Sequence, residues 1–219
     1  MTTEIIQEMR LHSPEGEPLY LDADDRARFL AEVRKDTNRD AVIFCSLLHY
    51  TGARPTELRE LTIDRIHPDK NEVVLRTLKK RKKDRKGRDK QPEYRTLPIP
   101  EPIMNLMVLA FDLRARQKLK REAKALLWPS EKNPKLPKDA KTVYRWTKRN
   151  MDAANITGKK ATSKGLRHGF AIAMLEAKPP VPLPNLQTLM GHSDINVTAI
   201  YTQAVGKELR HMVMNAWNE

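Results

Sequence analysis

Between residues 62 and 100 the chain changes its period, and that change limits the folds open to it. Ile63–His67 and Glu72–Thr77 alternate apolar and polar side chains and are joined by Pro-Asp-Lys-Asn, a turn sequence. Tyr94–Ile99 (YRTLPI) alternates again. On either side of this block the apolar residues recur at helical spacing. The expected class is therefore α+β, a mainly helical fold around one small three-stranded antiparallel sheet.

The helical stretches carry local stop and start signals. Residues 22–38 are predicted to be helical, with Asp22 as N-cap and Phe29, Leu30 and Val33 on one side. Asp40–Tyr50 is apolar enough to be buried, and Thr51-Gly52 ends it. Pro55 then suits the first turn of a short helix, PTELREL. After Pro102 the pattern predicts helices over Ile103–Lys124, Asp139–Ala154, Ser163–Ala177, Pro184–Met190 and Ile195–Tyr201. Pro179, Pro180, Pro182 and Pro184 force an extended link between two of these. In Gly206–Trp217, Leu209, Met212, Val213, Ala216 and Trp217 form a stripe that fits a core helix or one docking on a partner. Residues 1–20 read as an arm, because Pro14, Gly16 and Pro18 interrupt any long element.

Composition excludes several chemistries. A single cysteine, Cys45, allows no internal disulfide and no zinc site with two or more thiolates, and fits a reducing, cytoplasmic compartment. The histidines at 12, 49, 67, 168, 192 and 211 make no metal-ligand spacing, and no phosphate-binding glycine loop is present. The chemistry expected here uses neither metal nor cofactor. No apolar run approaches the roughly 20 residues of a membrane span, and no secretory signal opens the chain.

Charge points toward a partner. Lys and Arg number 41 against 28 Asp and Glu, a net charge of +13. So basic a chain meets a polyanion, nucleic acid before anionic membrane. The excess is concentrated in KKRKKDRKGRDK, residues 79–90, at the tip of the sheet hairpin. Lys79, Lys80, Arg81, Lys82, Lys83, Arg85, Lys86 and Arg88 make this tip either a solvated loop or a phosphate-contacting finger.

Four stretches concentrate groups able to act on a phosphate. TGARPTELREL (51–61) sets Arg54 at a tight turn, where a planar guanidinium presents a fork to phosphate or pairs with Glu57 or Glu60. SKGLRHGFA (163–171) places Lys164 and Arg167 three apart on one helix face, with Leu166 and Phe170 turned to the core. LMGHSDINVTAIYT (189–202) has a helix stop at Gly191, then His192, a cap at Ser193 or Asp194, and Tyr201 near the end of the next helix. The hairpin closes with KQPEYRTLP (90–98), where a lysine near the tip reaches toward a leaving oxygen.

In this order the four stretches resemble the catalytic domain of the tyrosine recombinase (phage integrase) family. The shared pattern is TGxRxxEL, a hairpin lysine, xxLRHxFA and LxGHSxIxxTxxYT, with His192 and Tyr201 nine apart. The resemblance runs from about residue 20 to the C-terminus, giving an arm over 1–20 and a catalytic domain over 21–219.

The resemblance implies site-specific DNA recombination: integration, excision or inversion through a 3′-phosphotyrosine. Tyr201 would be the nucleophile, Arg54 and Arg167 would clamp the non-bridging oxygens, and His192 would add a hydrogen bond. The hairpin lysine would be the general acid. Distance from Arg95 and Pro98 favours Lys90, with Lys86, Lys83 and Lys80 as alternatives. Lys164 stands where the family usually has histidine; it donates to phosphate but is a poor base at an ordinary lysine pKa. His168, about 100° around the helix from Arg167, is not given the missing role.

The implied partners are double-stranded DNA and, on DNA, further copies of the chain in a tetramer, with 206–217 docking in trans or packing in cis. In solution a monomer is expected. The expected setting is a prokaryotic or phage nucleoid. Only about 20 residues precede the first helix of the resemblance, so the expectation is a single-domain member resembling the fimbrial-switch invertases, ahead of a truncated chain or one relying on another DNA-binding partner. Two other readings share this pattern: a non-catalytic DNA-binding regulator and a type IB topoisomerase-like nicking-closing enzyme.

Overall fold

The computed structural model describes residues 10–77 and 91–204. The basic tip and the 206–217 stripe lie outside the described residues. Helix α1 (Ala23–Lys35) starts where Asp22 accepts the Asp25 N–H at 2.8 Å; Asp24 and Asp25 occupy its first turn, Arg34 and Lys35 its last, in accord with the helix dipole. Helix α2 (Arg39–Thr51) is capped by Asn38 and ends at Gly52 in the left-handed conformation. The middle of α2, from Ile43 to Leu48, is buried, and α1, α7 (Ala140–Ala153) and α8 (Ser163–Glu176) pack around it. Its Phe44 ring lies 5.1 Å from Trp128 and 5.8 Å from Trp146, both edge-on.

The three strands of the sheet lie side by side in chain order, all antiparallel. Strand β2 (Glu72–Arg76) pairs with β3 (Tyr94–Pro98) so that Val73 faces Leu97 and Leu75 faces Arg95. These four side chains are buried on the face toward the helices. Strand β1 is only Ile66–His67. The expected strand over Ile63–His67 is otherwise a 3₁₀ turn, Ile63–Arg65, because its backbone pairs elsewhere: the Ile63 N–H donates to the Ala125 carbonyl and the Leu127 N–H to the Leu61 carbonyl.

Two further expectations need correction. The helix expected over Ile103–Lys124 is three pieces: α4 (Glu101–Phe111), α5 (Leu113–Lys118) and α6 (Lys120–Ala123). Asp112 adopts a left-handed φ of 48° and Leu119 an extended one, which breaks the ladder twice. The last expected helix is α10 (Ile195–Ala199) followed by a 3₁₀ turn, Ile200–Ala204, which carries Tyr201. Before it, α9 (Leu183–Met190) follows the proline-rich link.

Helix α3 (Pro55–Arg59) packs against α2 and α7, and α1 packs against α2 and α8. The chain at Leu21 runs across α8 where two glycines allow it. The Leu21 N–H donates to the Gly165 carbonyl at 3.1 Å, and a Cβ on Gly169 would lie 2.4 Å from the Leu21 carbonyl oxygen. Backbone cannot yield there as a side chain does. Gly169→Ala is expected to destabilise the fold by about 1–3 kcal/mol through overpacking, read as a lower urea midpoint at unchanged slope. A midpoint equal to wild type would show that α8 and the Leu21 segment separate freely.

Candidate active site

Four segments converge at the N-terminal half of α8. The first is the turn after α2. Gly52 closes α2 at φ 56°, and a Cβ there would meet the Phe170 ring at 2.4 Å, so the position needs glycine on both counts. Arg54 follows as N-cap of α3, with Pro55 at its first position. Its N–H donates to Glu57 Oε2 and its Nη1 to Glu57 Oε1, both at 3.0 Å. The Arg54 side chain stays 22% exposed while Glu57 is fully buried.

The second segment is α8. Thr162 caps it by accepting the Gly165 N–H. Arg167 is buried and ties the other segments together: Nη1 donates to the Gly52 carbonyl, Nη2 to the Met190 carbonyl. Burial, aided by repulsion from Arg54, pushes its pKa down to about 9.

The third is the turn between α9 and α10. Gly191 ends α9 and Asp194 caps α10, leaving His192 between them. His192 Nε2 lies 3.1 Å from Arg167 Nη2, and Nδ1 lies 2.9 Å from Thr198 Oγ1. Arginine only donates, so Nε2 is the acceptor and the ring hydrogen sits on Nδ1, facing Thr198. Burial, with Arg167 and Arg54 nearby, pushes this imidazole down to about 3, so it is neutral.

The fourth is the 3₁₀ turn with Tyr201. The tyrosine has no exposed surface and belongs to a small second core with Phe170, Leu186 and Met190. Its ring stacks parallel to His192 at 6.3 Å. Its hydroxyl lies 2.9 Å from His168 Nδ1. Burial raises the phenol to about 12, against the pull of Arg167 and Arg54. His168 is likewise buried and pushed down to about 3 by burial, Lys164 and Arg167. Its Nε2 is buried without a hydrogen-bond partner among the described residues.

The arrangement therefore brings together Arg54, Arg167, His192 and Tyr201. Lys164 is exposed on the first turn of α8, close enough for its charge to act on His168. Lys90, with Lys79, Lys80, Arg81, Lys82, Lys83, Arg85, Lys86 and Arg88, lies outside the described residues. At the end of the described stem, the Thr77 N–H donates to the Glu93 carbonyl at 2.9 Å.

His168 has a contact that the sequence does not reveal. His168 does point away from Arg167, but Tyr201 is held on that side of the helix, so His168 is the group that meets the hydroxyl. Sequence reasoning also missed Arg95 as part of the site. Its signal was an arginine at an inward position of an alternating strand, in step with Leu97.

Comparison with known proteins adds a family. The sequence profile described as the Phage integrase family matches residues 20–208. Tyrosine recombinase XerA of Pyrococcus furiosus is 32% identical over 203 residues, covering 93% of this chain and 63% of its own length. The crystal structure of XerA recombinase superposes with a TM-score of 0.67 at 24% identity, over 93% of this chain and 65% of that one. The catalytic domain of bacteriophage HP1 integrase gives 0.54 at 22% identity, over 89% and 93% respectively. The chain thus spans less than two thirds of the XerA relative.

Proposed function

The chain belongs to the phage integrase family, matched over most of its length, and from that premise we propose that it is a site-specific DNA recombinase acting by integration, excision or inversion. Tyr201 attacks the scissile phosphorus, the P–O5′ bond breaks, and the 3′ side of the strand becomes esterified to the tyrosine. The phenol loses one proton and the departing 5′-oxygen gains one. Rejoining is the same step reversed, and the phosphotyrosine conserves the bond.

The observation that carries this reading is the convergence of one phenol, one imidazole and two guanidinium groups from four separate segments onto the start of α8. Arg54 and Arg167 stabilise charge on the five-coordinate phosphorus. His192 donates to it after its hydrogen moves to Nε2; Thr198 tolerates the change because a hydroxyl both donates and accepts. Lys164 contacts phosphate from the exposed edge of α8, and Lys90 protonates the 5′-oxygen. The bases of residues 79–88 hold the DNA backbone. Four copies assemble on two DNA sites, with 206–217 of one docking on the next.

The test is covalent trapping. The protein is incubated with labelled duplexes from the flanks of its own gene, in EDTA, and stopped with detergent. Wild type is expected to give a protease-sensitive shifted band. Tyr201→Phe is expected to lose that band entirely and to bind DNA within about threefold of wild type, because one hydroxyl adds little to a largely electrostatic interface. Tight binding by wild type without any covalent band would sink the reading, and so would a band from the phenylalanine variant.

A further inference from the structure

Arg95 occupies a position in β3 that the strand's alternation reserves for an apolar side chain, yet four hydrogen bonds hold its guanidinium there. Its side chain is 3% exposed. Nε donates to the Leu189 carbonyl at 2.9 Å, Nη1 to Thr77 Oγ1 at 3.2 Å and Glu57 Oε1 at 3.3 Å, and Nη2 to Glu57 Oε2 at 2.6 Å. The same buried carboxylate takes two hydrogen bonds from Arg54. One anion is therefore shared by two cations.

The charge count shows what the sharing does. Arg54 and Glu57 alone would be a neutral pair, and a phosphate would find Arg54 already satisfied. With Arg95 present the three groups keep one positive charge. With Arg167 the site holds three guanidinium groups against one carboxylate, an excess of two. A site without Arg95 would leave Glu57 to offset the charge of Arg54, the cation that must hold a phosphodiester anion. A buried ion pair made only for stability would not need its anion shared with a phosphate-facing arginine.

We propose that Arg95 is a positioning residue for DNA strand cleavage: it cancels the charge of Glu57 and holds that carboxylate in place, so that Arg54 meets the scissile phosphate as an uncompensated cation. The inference rests on the recombinase reading for the identity of the anion, but the charge relation itself is measurable without cleavage.

Two arms test it. In the first, inorganic tungstate is titrated into the intact protein, and only the binding lost in Arg167→Ala is counted as the site's. Arg95→Met and Arg95→Gln are expected to weaken that binding about 30-fold, the scale of one charge acting near the site. Arg95→Lys should stay within about threefold, and Arg95→Met/Glu57→Gln should recover to within about threefold. The glutamine variant keeps a polar partner for Glu57, so the test survives if the methionine variant fails to fold. Wild-type tungstate binding in both neutral variants, or a double variant as weak as the single, would overturn the proposal.

In the second arm, covalent trapping compares an ordinary scissile phosphodiester with an uncharged methylphosphonate. The defect of Arg95→Gln should shrink at least fivefold on the methylphosphonate, which presents no anion to Glu57. An equal defect on both substrates would mean that Arg95 merely holds the fold, and would also overturn the proposal. No covalent product from wild type on either substrate would count against the recombinase reading alone, with the tungstate arm still deciding the role of Arg95.

Discussion

Arg167→Ala is expected to lower the rate of covalent attachment to DNA by about 10²–10³-fold, the usual effect of removing one preorganised donor from a developing anion. The loss has a structural share as well. Arg167 links the Gly52 turn, the end of α9 and His192 through two carbonyls and one ring nitrogen. Without it two buried carbonyls lose their donor, at about 1–3 kcal/mol each. Arg167→Lys should not restore activity, because an ammonium on a single stem cannot span both carbonyls and a phosphate together. Single-turnover trapping at saturating DNA, with urea unfolding of the same variants, separates the two shares. An alanine variant within threefold of wild type would remove Arg167 from the chemistry.

The second large effect is on stability in acid. His168 and His192 are each held near a pKa of 3, against about 6.5 in the unfolded chain. The folded state therefore binds fewer protons than the unfolded state between those values. The stability of the neutral, buried rings is complete above pH 6.5 and declines as pH falls toward 3. Between pH 6.5 and 4.5 each ring should remove about 2 kcal/mol, at about 1.4 kcal/mol per unit. The half-buried His49, pushed down to about 4, adds to the same slope. Carboxylates such as Glu57, which Arg95 and the Arg54 backbone hold low despite its burial, begin to titrate only at lower pH. Urea midpoints should therefore drop steeply between pH 6.5 and 5. His168→Asn/His192→Asn should flatten most of that drop, and an equal slope in the double variant would show that these rings are protonated in the folded state.

Much of the fold was legible because its signals are local. The caps at Asp22 and Asp194 and the stops at Gly52 and Gly191 act on neighbours two to four residues away, and the structure places them where the sequence does. The breaks at Asp112 and Leu119 left no such mark, since neither residue type demands the backbone it adopts. The site divides the same way. The residues of the recognisable stretches lie together. The contacts that give them their charge and protonation join positions 33 and 38 residues apart, His168 with Tyr201 and Arg95 with Glu57. Periodicity reveals which way a side chain leaves its helix, but not what a distant turn brings to meet it.

The withdrawn tyrosine bears on what happens during idle encounters. In the proposed reaction, a protein with an excess of 13 positive charges would slide over any DNA it meets and pass many phosphates that are not its target. Uncovering a phenol of this kind forfeits about 2 kcal/mol of burial and about 1 kcal/mol of hydrogen bond, leaving roughly one molecule in a hundred to two hundred armed at any instant. The proton adds a second barrier, because a ring near pKa 3 does not draw it from a phenol near 12. Short visits then end before a strand is cut. On the proposed function, a sequence that keeps the protein in place, or whose contacts favour the armed form, would be broken selectively, so dwell time would join base contacts in deciding which DNA reacts.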